Sequence, residues 1–186
     1  AHYFGVQGYR VLVVDCDSQA TTTTLFGFNP HFNITRDETL YPYLSIDPTQ
    51  TDLLYAVKRT PWPNVDLIPS NLELFDVEYE LAASGADGQS VLAARFRKLK
   101  AGLMDMARDY DIVILDPPPA LGTISLAVMQ AANALLRDAE RDPALREEAL
   151  RIIGALSEQF PFPVTAGVLT RGRLPPPAST TRLPPP

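Results

Sequence analysis

Continuous apolar runs alternate with segments of helical spacing along the first two thirds of the chain. The runs at residues 10–14, 65–68 and 111–115 predict strands covered on both faces, because they show no polar alternation. The segments with helical spacing are 18–26, 51–59, 72–82, 91–108 and 124–136, and residues 1–7 end a further helix closed by Gly8. Strands that alternate with helices predict an α/β fold of three layers, α/β/α, with a mostly parallel sheet.

Acidic residues stand where two of these predicted strands end. Asp15 and Asp17 follow the first apolar run, and Asp116 follows the third. Ligands of open parallel sheets bind beyond the carboxyl ends of the strands, so three acids on two strands favour a binding site. Carboxylates placed there can hold magnesium through water or orient an attacking water. The alternative is that Asp15 and Asp17 only cap the helix that follows.

Composition limits the classes of function. The net charge of -6 argues against a protein that coats nucleic acid by charge alone. Cys16 is the one cysteine, which excludes a disulfide within the chain and predicts a cytoplasmic protein. No apolar run is long enough to cross a bilayer, so we expect no membrane contact. The basic stretch at 94–100 predicts a solvated helix face that includes Arg95.

The character of the sequence changes after residue 136. Residues 137–170 are rich in Glu and Arg and predict one amphipathic helix, with its apolar stripe between Leu145 and Phe160, followed by a strand at 164–169. Residues 171–186 carry RLPPP twice and predict an extended, disordered tail. We therefore divide the chain into an α/β domain at 1–136, a segment of different character at 137–170 and the proline-rich tail.

Three blocks of the sequence carry a resemblance to a known family. They are VLVVDCDSQATTT at 11–23, VDLIPSNLELFDVEYEL at 65–81 and DYDIVILDPPPALG at 109–122. In this order and spacing, residues 1–136 resemble the ParA family of partition ATPases, which are MinD/ParA-like P-loop NTPases. Within that family the chain is most similar to the RepA-type partition proteins of low-copy plasmids.

The acids fall on the two acidic motifs of that family. Asp15, Asp17 and Gln19 match the pattern Asp-x-Asp-Pro-Gln, with Ser18 in place of the proline. Asp116 and the prolines two and three positions after it match the pattern Asp-x-Pro-Pro. The resemblance implies that Asp17 positions the attacking water, Asp15 supports the magnesium shell and Asp116 holds magnesium through a water. It also places Gln19 in the cofactor site, followed by a switch segment of small polar residues.

For the intact protein, the resemblance implies an ATP-driven switch in plasmid or chromosome partitioning. Members of the family bind ATP and magnesium and form a nucleotide-dependent homodimer. They also bind DNA without sequence preference, and a ParB-like adaptor protein stimulates their slow hydrolysis of ATP. DNA-binding residues are not carried over to this chain, because the sequence after about residue 136 departs from the family.

The phosphate loop of the family, a Lys-Gly-Gly-Val-Gly-Lys-Thr-Thr stretch, does not occur in the sequence. Such a loop needs glycines so that backbone N–H groups can surround the phosphates, and a lysine to neutralise them. In the family it precedes the helix whose end resembles residues 1–7. We therefore expect a truncation before residue 1, and a chain that hydrolyses no ATP alone.

Two alternatives remain open at this stage. Phosphatases of the haloacid-dehalogenase type also place Asp-x-Asp at a strand end, with the first Asp, here Asp15, as nucleophile. They usually carry a threonine where this chain has Gln19, and the three prolines after Asp116 fit them poorly. The second alternative is a non-catalytic remnant of a ParA-like ATPase that acts only through contacts with a partner.

Overall fold

In the computed structural model, which describes residues 1–45, 52–83, 88–106, 108–119, 122, 124–128 and 131, four strands form one sheet. The strands are β1 (Val11–Asp15), β2 (Lys58–Arg59), β3 (Val65–Ile68) and β4 (Ile112–Asp116). Their order is β2-β3-β1-β4, with β1 parallel to both β3 and β4 and β2 antiparallel to β3. The predicted α/β fold with a mostly parallel sheet is confirmed.

Helices connect the strands and cover the sheet. They are α1 (His2–Val6), α2 (Thr21–Leu25), α3 (Tyr41–Leu44), α4 (Asp76–Ala83) and α5 (Gly88–Met106). Single turns of 3-10 helix lie at Arg36–Glu38, Leu54–Ala56 and Leu72–Phe75, and residues 124–128 are helical. Gly8 closes the first helix with a φ of +93°, in the left-handed region that glycine adopts without steric cost.

The two faces of the sheet bury separate sets of side chains. Alternate residues of a strand point to opposite faces, and β1 therefore divides its apolar residues between them. One face packs beneath α1 and α2, through Phe4, Tyr9, Val11, Val13, Phe26, Val65, Leu67 and Ile112. The other face packs beneath α5, through residues that include Leu12, Val14, Ile68, Leu99, Leu103, Met106, Val113 and Leu115. Helices on both faces explain why the strands read as continuous apolar runs.

The helix predicted at 51–59 is wrong. Residues Leu54–Ala56 form a single 3-10 turn, started by the Asp52 carboxylate, which accepts the N–H of Leu54 at 2.9 Å. The chain then extends into β2 and joins the edge of the sheet, where Arg59 forms an ion pair with Asp66 of β3. Pairing with a strand satisfies backbone groups that a short isolated helix leaves open, so tertiary contacts override the local pattern.

Helix α2 begins later than the predicted helix at 18–26. It starts at Thr21, and the residue before it, Ala20, has a left-handed φ of 53°. Neither Asp17 nor Ser18 caps it. The Asp17 carboxylate instead accepts the N–H of Gln19 at 2.9 Å, a local turn that competes with helix formation.

Arg95 is buried, which corrects the prediction of a solvated basic face. It is 6% exposed, and its guanidinium donates to the Val77 carbonyl and to the Glu80 carboxylate, both at 3.1 Å. The packing of α5 against α4 encloses the side chain, and the pairing with Glu80 compensates for the loss of water. The segments predicted at 137–170 and 171–186 lie outside the described residues.

Candidate functional site

The carboxyl ends of β1 and β4 place two acids side by side. Asp15 and Asp116 are register partners in the parallel ladder, each at the last position of its strand. Strand alternation sets both on the face that also carries Val13 and Ile114. Helix α2 covers this face, so the two carboxylates point toward it.

Asp15 is fully buried and well supplied with hydrogen-bond donors. Its Oδ2 atom accepts from both the backbone N–H and the hydroxyl of Thr23, at 2.8 and 2.7 Å. Its Oδ1 atom accepts from the N–H of Asp17 at 3.1 Å. A buried carboxylate needs such partners because it has lost its water. The arrangement therefore ties α2 to the end of β1.

Asp116 is held by the neighbouring threonine. The hydroxyl of Thr22 donates to Asp116 Oδ2, and the Asp116 carbonyl accepts the N–H of Cys16 at 2.9 Å. Consecutive threonines of α2 therefore reach the two acidic strand ends. The first turn of α2 fixes the relative position of β1 and β4 at this edge.

The end of β3 joins the same cluster through Ser70. Its backbone N–H donates to the Thr23 hydroxyl oxygen at 2.8 Å. Ser70 is completely buried, and its own hydroxyl has no hydrogen-bond partner among the described residues. Three strand ends therefore meet around the short helix α2.

Asp17 and Gln19 lie at the edge of this cluster. Asp17 is partly buried, and among the described residues its carboxylate accepts one hydrogen bond, from the Gln19 N–H. Gln19 is exposed in the turn before α2. The structure thus brings Asp15 and Asp116 together, whereas Asp17 lies beside them and Gln19 on the surface of the turn.

Burial dominates the electrostatics of the site. Loss of water raises the pKa of Asp15, the hydrogen bonds from Thr23 and Asp17 oppose that rise, and the negative charge of Asp116 adds to it. Burial also raises the pKa of the Cys16 thiol well above its ordinary value. Cys16 is 1% exposed and packs with the α5 face, so it behaves as a neutral apolar side chain.

Among the described residues, no three His, Cys, Asp or Glu side chains lie close enough to form a metal cluster by themselves. A metal at this edge needs oxygen ligands from water or a bound group in addition to the two acids. The same part of the chain contains no helix that could cross a membrane.

Comparison with known proteins assigns the chain to a family. A family model described as an AAA domain matches residues 1–143, well over half of the chain. Putative replication protein A of Rhizobium rhizogenes is 34% identical over 136 residues, which are 73% of this chain and 34% of that protein. Protein SopA of Escherichia coli K12 is 33% identical over 137 residues, again 73% of this chain and 34% of the relative.

The chain belongs to the ParA family of partition ATPases. Chromosome partitioning protein ParA of Caulobacter vibrioides, 32% identical over 130 residues, agrees with this assignment, and the match covers 69% of the chain and 43% of that protein. This ParA-family chain spans about a third of the length of the first relatives it matches.

Solved structures show the same fold. Cobyrinic acid a,c-diamide synthase from Mycobacterium smegmatis, with bound ADP and magnesium, matches with a TM-score of 0.55 and 29% identity. That match covers 70% of this ParA-family chain and 48% of the synthase. The ATP complex of a Cyanothece McdA variant matches with a TM-score of 0.52 and 23% identity, over 87% of this chain and 58% of McdA, and supports the fold alone.

Thr22, Thr23 and Ser70 belong to this cluster but were not predicted from the sequence. The threonine run was predicted only as a switch segment, with no distinction between its members. Thr22 and Thr23 differ from their two neighbours only in the direction that α2 gives them. Four identical side chains carry no signal for that difference, whereas the motif acids are distinct residues at strand ends.

Proposed function

We propose that this chain is the sheet-and-switch part of a ParA-like partition ATPase, and that alone it is catalytically incomplete. Membership of the family supports a partitioning role. The observation that carries the proposal is the pairing of Asp15 and Asp116 at neighbouring strand ends, with α2 bonded to both. A short helix tied to both acids is well placed to respond to charge at that edge.

The residues present fit magnesium that is held through water. The oxygens of Asp15 already accept three hydrogen bonds. This side chain would therefore stabilise the water shell of a magnesium ion through its charge and would not ligate the ion directly. Asp116 is less buried and is the better candidate to hold a magnesium-bound water. Magnesium bound here would supply positive charge next to phosphate oxygens.

The residues present do not fit the phosphates of ATP. A phosphate cradle needs consecutive backbone N–H groups and a lysine, and the family's glycine-rich loop does not occur in this sequence. This chain alone therefore lacks the groups that would hold ATP for hydrolysis. In a complete site Asp17, which is partly exposed beside the two paired acids, would orient the attacking water.

The partners implied by the family belong to the same proposal. For the intact protein they are a nucleotide-dependent second copy, non-specific DNA and a ParB-like adaptor. The net charge of -6 gives this chain no general attraction for DNA, so we assign no DNA-binding residue to it.

A non-catalytic role is the second candidate, and the same absence of a phosphate loop favours it. In that case the chain would act by contact with an intact copy. The phosphatase alternative is disfavoured, because Asp15 is fully buried and surrounded by donors. A nucleophilic carboxylate must have an oxygen open to its substrate.

ATP turnover tests the proposal directly. In the presence of magnesium, the unmodified chain should release phosphate from ATP no faster than a blank without protein, because the chain has no loop that binds the phosphates. Asp17→Ala and the control Asp109→Ala, an exposed acid near the amino end of β4, should give the same result. Turnover above the blank that Asp17→Ala abolishes and Asp109→Ala preserves would contradict catalytic incompleteness.

A further inference from the structure

We propose that Thr23 is a positioning residue that joins Asp15 to Ser70, so that α2 and the connection from β3 to α4 move as one unit. The role of this junction in a switch rests on the proposed function, whereas its hydrogen bonds do not. It concerns a residue that the family motifs in this sequence do not single out.

One hydroxyl carries the junction. Thr23 Oγ1 donates to Asp15 Oδ2 at 2.7 Å and accepts the N–H of Ser70 at 2.8 Å. The Thr23 backbone N–H donates to the same carboxylate oxygen at 2.8 Å. All three residues are completely buried, so water cannot replace these bonds without local opening. The carboxylate, the hydroxyl and the amide therefore form a continuous chain.

The chain of hydrogen bonds continues toward α4. Asn71 follows Ser70, donates from its side chain to the Ile34 carbonyl at 3.2 Å, and accepts the N–H of Glu73 at 3.1 Å. It therefore caps the 3-10 turn that leads directly into α4. A shift of Ser70 must displace this cap, because the two residues are adjacent in the backbone.

The unpartnered Ser70 hydroxyl strengthens the case for Thr23. Among the described residues, the Ser70 side chain makes no hydrogen bond of its own, although it is completely buried. Among the described residues, Ser70 is thus hydrogen-bonded to α2 through its backbone N–H, which donates to Thr23. If α2 responds to magnesium at the acidic edge, the response reaches α4 through this link.

Amide hydrogen exchange measured on the full chain tests the junction. We expect Ser70 to exchange about tenfold faster in Thr23→Val, because its amide loses an acceptor worth about 1.4 kcal/mol. Thr23→Ala, which removes the hydroxyl without adding a methyl group, should do the same. Thr23→Ser keeps the hydroxyl and should restore slow exchange. Thr21→Val, at an exposed position of α2, is the matched control and should leave Ser70 unchanged.

Unchanged Ser70 exchange in both Thr23→Val and Thr23→Ala would overturn the proposal, as would failure of Thr23→Ser to restore protection. A measurement on the unmodified chain covers the case in which those variants do not fold. A buried hydroxyl that donates to a carboxylate exchanges slowly, so the Thr23 hydroxyl proton should be visible by NMR with a cross-peak to the Ser70 amide. Absence of that cross-peak would also overturn it.

The exchange test is separate from the proposed function. It requires no nucleotide, so it can succeed even when the chain binds neither magnesium nor ATP. Addition of magnesium alone to the unmodified chain gives the second comparison. A change in α4 exchange that Thr23→Val removes and Thr23→Ser retains supports the coupling, whereas a change that persists in Thr23→Val contradicts it.

Discussion

Replacement of Asp15 should destabilise the fold more than replacement of Asp17, because the Asp15 carboxylate is buried and the Asp17 carboxylate is partly exposed. In Asp15→Ala, the N–H and hydroxyl of Thr23 and the N–H of Asp17 lose their acceptor. Both Thr23 donors are buried. We therefore expect Asp15→Ala to lower the free energy of unfolding far more than Asp17→Ala does.

The magnitude follows from the contacts. Each Thr23 bond to the ionised acceptor contributes about 1.5–3 kcal/mol, and the buried donors left behind add a desolvation cost. Part of this is offset, because burial and the charge of Asp116 raise the pKa of Asp15 and so penalise its ionised form. We expect a net loss of about 3 kcal/mol for Asp15→Ala. Asp15→Asn keeps the shape and removes the charge, and should cost about 1–2 kcal/mol.

Urea unfolding followed by circular dichroism measures these differences. Asp17→Ala is the matched control, with an expected loss below about 1 kcal/mol because its recorded side-chain bond is exposed. The slope of the transition should stay constant across the series. If Asp15→Ala lay within about 0.5 kcal/mol of Asp17→Ala at equal slope, the supporting role of Asp15 would be refuted.

Two further predictions concern ion pairs outside the acidic cluster. Arg95→Met should lower the free energy of unfolding by about 2 kcal/mol, since Glu80 loses its buried partner, whereas the exposed control Arg97→Met should change it by less than about 0.5 kcal/mol. Equal effects in urea would contradict the buried pairing. The hydrogen bond from Lys58 lowers the pKa of Glu38 in the folded protein. Ionised Glu38 therefore stabilises the fold at pH values above its pKa in the unfolded chain, and this stabilisation is lost as the pH falls through its pKa in the folded protein. Thermal melts should therefore show Glu38→Gln less stable at pH 7, by under about 1 kcal/mol, with the gap closing in acid; a pH-independent gap would contradict this.

The strands were predictable because their cause is local in the sequence. Strands covered by helices on both faces need mostly apolar residues, and residues 10–14, 65–68 and 111–115, which are apolar apart from Arg10, Asp66 and Asp111, lie within one residue of the observed limits. The segment at 51–59 failed for a tertiary reason. Its apolar spacing fits a helix, but the neighbouring edge of β3 offers backbone partners that no local pattern records.

The acids of the site were predictable, and their supports were not. The pairing of Asp15 with Asp116 follows from parallel strands whose carboxyl ends meet at one edge. The roles of Thr23 and Ser70 depend on the direction of α2 over the sheet, which a left-handed residue at Ala20 sets. Arg95 was placed on the surface for a similar reason, since burial of a charge requires a partner that only the fold supplies.

The most direct test of the central claim restores what the sequence lacks. A segment that carries the family's phosphate loop, joined to the chain, should complete a site around Asp15, Asp17 and Asp116, and the enlarged chain is assayed for magnesium-dependent release of phosphate from ATP. We expect slow turnover that Asp17→Ala abolishes and Asp109→Ala leaves intact. Turnover that persists in Asp17→Ala, in a chain shown to fold and to bind ATP, would contradict the assignment of this edge as the nucleotide switch.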